Sequence, residues 1–186
     1  LLLGWAITAL YRDEPAVALE RLERARTLVG DRPPPALWFW AATLARAGAG
    51  DAAAALDTAR AGVEAHPASV PLRNNLAVLL EGAGDAAGAE TMLRAALAED
   101  PAVPQLSKNM GDLFYRSGRY DEAREAYDRA DRLDPDLGDD LYFKLGNIAY
   151  KQRDAARARE CWQKATLLNP GHQLARANLE MLGTAS

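Results

Sequence analysis

The 186 residues are 49% hydrophobic and 26% charged, the composition of a water-soluble globular chain long enough for one ordinary domain. A formal net charge of −4 argues against a general nucleic-acid or anionic-membrane binder, and a single cysteine rules out an internal disulfide.

The chain opens on LLLGWAITALY without a methionine and is read as a piece of a longer protein. This apolar run falls well short of the ~20 residues of a membrane span and has no basic leader or cleavage site, which predicts a buried helix. Ala18, Leu22 and Ala25 follow at helical spacing and give it a partner, in a first unit expected to lack its opening residues. Pro33-Pro34-Pro35 then inserts three residues and stiffens the join to the next unit. The WFW run at 38–40 spreads over three helix faces, so only part of it can be core. Ala55, Ala59 and Gly62, then Ala89, Leu93 and Ala96, repeat the small–bulky–small spacing. Between them GAGDAAGAE is rich in glycine but lacks the Lys-Ser/Thr of a phosphate loop, and reads as a join between two Ala-rich helices.

In QLSKNMGDLFYRSG, Leu106, Met110 and Leu113 share one face and Ser117-Gly118 breaks the helix. YDEAREAYDRADRLDP then sets Ala123, Tyr127, Ala130 and Leu133 down one side, with Asp134-Pro135 as the stop. Its charges stand at ion-pair spacing on the opposite side, Glu125 to Arg129 and Asp128 to Arg132. DLYFKLGNIAYKQRD and the set Ala158, Trp162, Ala165 reproduce the same two helices. After Pro170, GHQLARANLEML begins another first helix, but Glu180 stands where Gly146 stood one period earlier. A carboxylate there would be costly to bury, so residues 172–182 are expected to be a capping helix that covers Trp162 and Leu168 and keeps Arg176 and Glu180 in solvent.

The closing prolines Pro67, Pro101, Pro135 and Pro170 are 34, 34 and 35 residues apart, and each period holds two helical patterns. Two helices approach closely only where the crossing lacks bulk, and Ala6, Thr43, Ala77, Gly111 and Gly146 occupy that point in successive first helices. Tyr127 and Trp162 are expected to fill the remaining gap. The period, the pairs Met110-Gly111 and Leu145-Gly146, the later alanine pair and the closing proline resemble the tetratricopeptide repeat over nearly the whole chain. The resemblance implies an all-α fold, a right-handed α-solenoid of antiparallel helix pairs. It forms a single domain over 1–186, with units near 1–32, 36–69, 70–103, 104–138 and 139–171 before the cap.

In that family the inner face of the first helices lines a groove for peptide segments. Matching positions carry the groove onto Asn74 and Asn75, then Lys108, Asn109, Asp112, Tyr115 and Arg116. Further on it takes in Phe143, Lys144, Asn147, Tyr150 and Lys151, and finally Asn178. Asn75, Asn109 and Asn178 share one matching position, interrupted by Lys144. The row resembles the asparagine ladder of O-linked N-acetylglucosamine transferases, whose amides grip a peptide backbone; asparagine is also simply frequent at this site in the family. The carboxylate clamp that grips chaperone tails is a poor match, because Val78 and Asp112 stand where it needs polar or basic side chains. Toward the start of the chain the same register turns Leu3, Ile7 and Leu10 inward, with Leu37, Trp40 and Leu44. This apolar stretch is either a binding site or a surface covered by sequence outside the chain.

No catalytic constellation is found. His66 and His172 sit beside the unit-ending prolines and are expected to be solvent-exposed turn residues, without metal-ligand spacing. Cys161 lies in a helix next to Trp162, with no basic residue expected to activate it. The expected function is therefore a scaffold or adaptor that binds a peptide or protein segment, with no enzyme activity, cofactor, metal or nucleic acid. The alternative is a regulatory or targeting repeat domain of a longer enzyme, such as a glycosyltransferase. Lys108, Lys144, Lys151 and Arg116 gathered among Tyr115, Phe143 and Tyr150 imply a partner segment with acidic and apolar side chains. The other reading is a solvated face whose lysines pair with Asp112 and Asp140. A cytoplasmic location is expected, with a membrane-attached or periplasmic parent protein left open.

Overall fold

The computed structural model describes residues 1–30 and 32–184. Among them the chain is eleven α-helices without a strand. It divides into two compact units, Leu1–Pro101 and Ala102–Ser186.

The first unit holds α1 (Leu2–Tyr11), α2 (Pro15–Val29), α3 (Ala36–Gly48), α4 (Ala52–Ala65), α5 (Val70–Gly82) and α6 (Ala86–Glu99). They pack as the pairs α1–α2, α3–α4 and α5–α6, and each pair leans on the next. The second unit holds α7 (Pro104–Arg116), α8 (Tyr120–Leu133), α9 (Asp139–Lys151), α10 (Ala155–Leu168) and α11 (Gln173–Thr184). There α7–α8 and α9–α10 pair, and α11 packs on α10.

Local chemistry sets the turns. Gly50, Gly84 and Gly118 take the left-handed conformation (φ 80°, 86° and 72°) just past the first helix of their pairs, where a side chain would be strained. The equivalent positions in α1–α2 and α9–α10 hold Asp13 and Arg153, at φ 57° and 64°. Asp51, Asp85 and Asp154 then cap the second helices, each carboxylate accepting from a backbone N–H three residues on, at 3.0, 2.8 and 2.9 Å. α8 lacks such a cap and instead carries Asp121 and Glu122 in its first turn, where they oppose the positive end of the helix dipole.

Each unit packs a core between its pairs. In the first, Ala6, Ala9, Ala18, Leu22, Trp38, Phe39 and Leu72 are buried in one cluster. Two of the three aromatics at 38–40 are core, and the Trp38 indole N–H donates to the Leu22 carbonyl at 2.9 Å. In the second unit Leu106, Leu113, Leu141, Ile148, Tyr127 and Trp162 are the large, fully covered side chains.

The small crossing residues are where the repeat register puts them, all buried. A Cβ on Gly111 would stand 2.5 Å from Tyr127 Cδ1, and one on Gly146 the same distance from Trp162 Cδ1. Volume is traded across the crossing: Gly faces Tyr or Trp, Ala6 and Ala77 are matched in register by Leu22 and Leu93, and Thr43 by Ala59. In α3–α4 the bulk comes from the first helix instead, since a Cβ on Gly62 would meet Phe39 Cβ at 2.8 Å.

Four expectations change. Leu133 is 40% exposed and does not extend the buried stripe of α8, which ends at Ala130. The two histidines are half-buried structural residues rather than exposed turn residues. His66 Nε2 lies 2.7 Å from the Pro34 carbonyl and its ring meets Phe39 edge-on, tying the proline-rich join to the end of α4. His172 stacks on Phe143, and its Nδ1 accepts from the Ala175 N–H, starting α11. Asp128 pairs with Arg157 of α10 at 2.6 Å, between neighbouring second helices, rather than with Arg132 on its own helix.

Candidate protein-binding face

The inner face of the second unit is built by α7, α9 and α11, which reach one another through their side chains. Tyr127 and Trp162 enter it from behind. Each is pressed against a glycine of the first helix, so its polar tip emerges beside the next residue along, Asp112 or Asn147. A buried phenol or indole needs a partner for that tip. The Tyr127 hydroxyl donates to Asp112 Oδ1 at 2.7 Å. The Trp162 N–H is shared between Asn147 Oδ1 at 3.1 Å and the Phe143 carbonyl at 3.3 Å.

Asp112 is the largest departure from the sequence expectation. Register places it on an open groove surface, yet it is only 7% exposed. Its carboxylate takes Lys144 Nζ at 2.6 Å and Lys108 Nζ at 3.0 Å as well as the tyrosine. Asp140 completes the cluster, 2.6 Å from Lys144 and 3.5 Å from Lys108. Burial alone would raise the Asp112 pKa, but the bonds from Lys144, Tyr127 and Lys108 together hold it below its ordinary value. Lys144 shifts to match: burial lowers its pKa, and the two carboxylates outweigh burial and raise it. Both shifts favour the charged forms. Tyr127, buried against a carboxylate, is pushed well above the ordinary phenol range. Of the two sequence readings of these lysines, Lys108 and Lys144 follow the one that pairs them with Asp112 and Asp140 within the protein.

Asn147 is the second node. Its Oδ1 also accepts from Asn178 of α11 at 3.2 Å, and its amide donates to the Tyr115 hydroxyl at 3.3 Å. Tyr115 meets Tyr120 edge-on, and Lys151 sits over the Tyr120 ring, 5.1 Å from its centre. Tyr150 remains 46% exposed with its ring against Trp162, while Phe143 is half covered by His172. Asn109 accepts from Gln105 at 2.7 Å, and Arg116 is an exposed residue at the end of α7.

The other candidate residues belong to the first unit. Leu37 and Leu44 are 49% and 37% exposed, and Trp40 is half-buried. Leu37 and Trp40, with Ala36, Ser69 and Pro71, line an apolar recess of about 380 Å³ between α3 and α5. Leu3, Ile7 and Leu10 are half-buried against the core. Asn74 and Asn75 are half-buried on α5, and the Asn75 amide nitrogen is covered without a hydrogen-bond partner among the described residues.

Cys161 is half-buried on α10. Arg157, one turn earlier, does lie close enough to favour the thiolate, contrary to the sequence reading, but burial prevails and pushes the thiol up to about 11. No helix among the described residues is long and apolar enough to cross a membrane.

These features define an all-α protein of stacked helical hairpins with a polar, internally bonded inner face. The sequence matches tetratricopeptide repeat profiles over residues 74–137 and 139–172, together more than half of its length. The chain belongs to the tetratricopeptide repeat family, whose general work is protein–protein interaction. Among curated proteins none matches significantly. Among solved structures it is similar to YrrB, a tetratricopeptide repeat protein with an unusual peptide-binding site. The two share 19% identity over 95% of this chain and 89% of that one, with a TM-score of 0.71. It is also similar to TTC0263, a thermophilic tetratricopeptide repeat protein of Thermus thermophilus. Here the figures are 18% identity, 98% and 97% coverage, and a TM-score of 0.72. A third match is a chain of the APC/C hetero-tetramer Cut9–Hcn1, at 15% identity and a TM-score of 0.84; it covers 97% of this chain and 35% of that one. At these identities the likeness concerns the fold.

Proposed function

We propose that the chain is a non-catalytic scaffold or adaptor that holds a segment of a partner protein against the inner faces of α7, α9 and α11. The observation that carries this reading is the Asn147 node. A side chain bonded at once to Trp162, Tyr115 and Asn178 fixes donors and acceptors on three helices in one orientation. Fixed polar groups lose little freedom when a segment binds. The peptide-binding site of YrrB supports the reading by analogy of fold alone.

In this reading Tyr115, Tyr150 and Asn178 touch the segment. In the first unit, taken by itself, Asn74 and Asn75 on α5 and Leu37, Trp40 and Leu44 on α3 are candidate contacts for a partner. Lys108, Lys144 and Asp112 serve the face by bonding to one another.

The test is site-specific photo-crosslinking in the source cell. A benzoylphenylalanine at Tyr115 or Tyr150 is expected to capture a discrete protein partner, while the same probe at Arg124 or Arg129 on α8 captures none. Capture from α8 alone would overturn the proposal.

A further inference from the structure

We propose that Asp112 sets the ligand specificity of the inner face by neutralising Lys108 and Lys144, so that the face takes an uncharged, main-chain-rich segment and rejects a carboxylate-rich one. The inference rests on the reading that this face binds a partner. Its geometry is independent of that reading.

Two ammonium groups and two carboxylates form one closed cluster, with every Lys–Asp separation between 2.6 and 3.5 Å. The formal charges cancel. A carboxylate approaching Lys144 would meet Asp112 and Asp140 at nearly the same range, and attraction and repulsion of similar size would leave no net gain. It would also have to displace bonds already made in a partly dry site. The Lys108 and Lys144 side chains are only 15% and 18% exposed, and that of Asp112 only 10%. Asp112 is held from three sides, because Oδ1 takes the Tyr127 hydroxyl from behind as well as Lys144, while Oδ2 takes Lys108. The third lysine, Lys151, is drawn to the Tyr120 ring.

Beside this cluster the face offers neutral groups. Tyr115 accepts from Asn147 and so keeps its hydroxyl proton to donate. Asn178 spends one amide hydrogen on Asn147, which leaves a second hydrogen and a carbonyl oxygen. These are the complements of a peptide unit's C=O and N–H. A sequence rich in glycine, serine, asparagine or small apolar residues fits them without needing a counter-charge.

The experiment uses the full chain and two fluorescein-labelled probes of equal length, one alternating Gly with Ser and Asn, the other alternating Gly with Asp and Glu. Binding is followed by fluorescence anisotropy at low and high salt. The wild-type protein is expected to bind the acidic probe no more tightly than the neutral one, with little response to salt. Asp112→Asn keeps an oxygen for Tyr127 and removes the charge, so its affinity for the acidic probe should rise about tenfold and fall back in high salt. Asp140→Asn, at a side chain 52% exposed and hence safe for folding, should give a smaller gain of about threefold. Tight, salt-sensitive binding of the acidic probe by the wild-type protein would overturn the proposal. So would the absence of any gain in a variant whose circular dichroism matches the parent. Gains in the variants would uphold the specificity argument even if crosslinking placed the natural partner elsewhere, so the two proposals fail separately.

Discussion

Tyr127 packs against Gly111 so closely that a single added methyl would fall 2.5 Å from its ring. Alanine is the better helix former by about 1 kcal/mol, so Gly111→Ala tests packing against propensity. The ring is fully buried and cannot retreat. Packing should win, with a net loss of about 1–3 kcal/mol in chemical denaturation. Adding Tyr127→Leu to Gly111→Ala recreates the Ala77 and Leu93 combination of α5–α6 and should recover part of the loss. Additive losses in the double variant would show that the two residues do not share one space.

A second prediction concerns acid stability. Asp112 faces Lys108 on its own helix, Tyr127 of α8, and Lys144 and Asp140 of α9. Its folded pKa lies below the ordinary 3.8. Its ionised form therefore stabilises the fold at pH values above the unfolded pKa, and that contribution fades as pH drops through the folded one. Unfolding free energy should decline below about pH 4 in the wild-type protein and decline less steeply in Asp112→Asn. Parallel curves for the two proteins would remove Asp112 from the account.

The thiol gives a third. With the Cys161 pKa near 11 rather than 9.0, its thiolate fraction at neutral pH falls about 100-fold. Iodoacetamide should label the native protein slowly and the denatured protein at the rate of an ordinary cysteine. Equal rates in both states would mean that α10 does not cover this side chain.

The fourth concerns a turn. Arg153 occupies the left-handed position that glycine fills in three other helix pairs. Arg153→Gly should raise stability by about 0.5–1 kcal/mol, read as a higher denaturation midpoint. A lower midpoint would imply that the arginine side chain makes a compensating contact.

The helix pairs, their turns and the glycines at the crossings are legible in the sequence because a 34-residue period is a one-dimensional property. A helix that recurs with the same small residues must meet the same kind of neighbour each time. The exposure of the inner face is not legible from register alone. Register correctly puts Asp112, Lys108 and Lys144 on one face, but whether charges there are open or paired depends on a residue one repeat away and on what arrives from behind. One further signal in the sequence does carry that information. Each aromatic follows the residue after its glycine by fifteen positions, Asp112 to Tyr127 and Asn147 to Trp162, and a buried phenol or indole must find an acceptor. That rule points to Asp112 and Asn147 as inward-bonded nodes. The histidines escape the sequence for a similar reason. Neighbouring prolines suggest open turns, whereas the His66 ring is spent on Pro34 and the His172 ring on Phe143.

The central claim is that the inner face of the second unit, rather than its outer helices, is the working surface. Affinity for the partner captured by crosslinking, measured by calorimetry on paired variants, tests it most directly. Tyr115→Ala with Tyr150→Ala removes two aromatic contacts of the inner face and should weaken binding by about tenfold or more without unfolding the protein. Arg124→Glu with Arg129→Glu on the outer side should change it by less than about twofold. Full affinity in the tyrosine variant together with a large loss in the arginine variant would contradict the account.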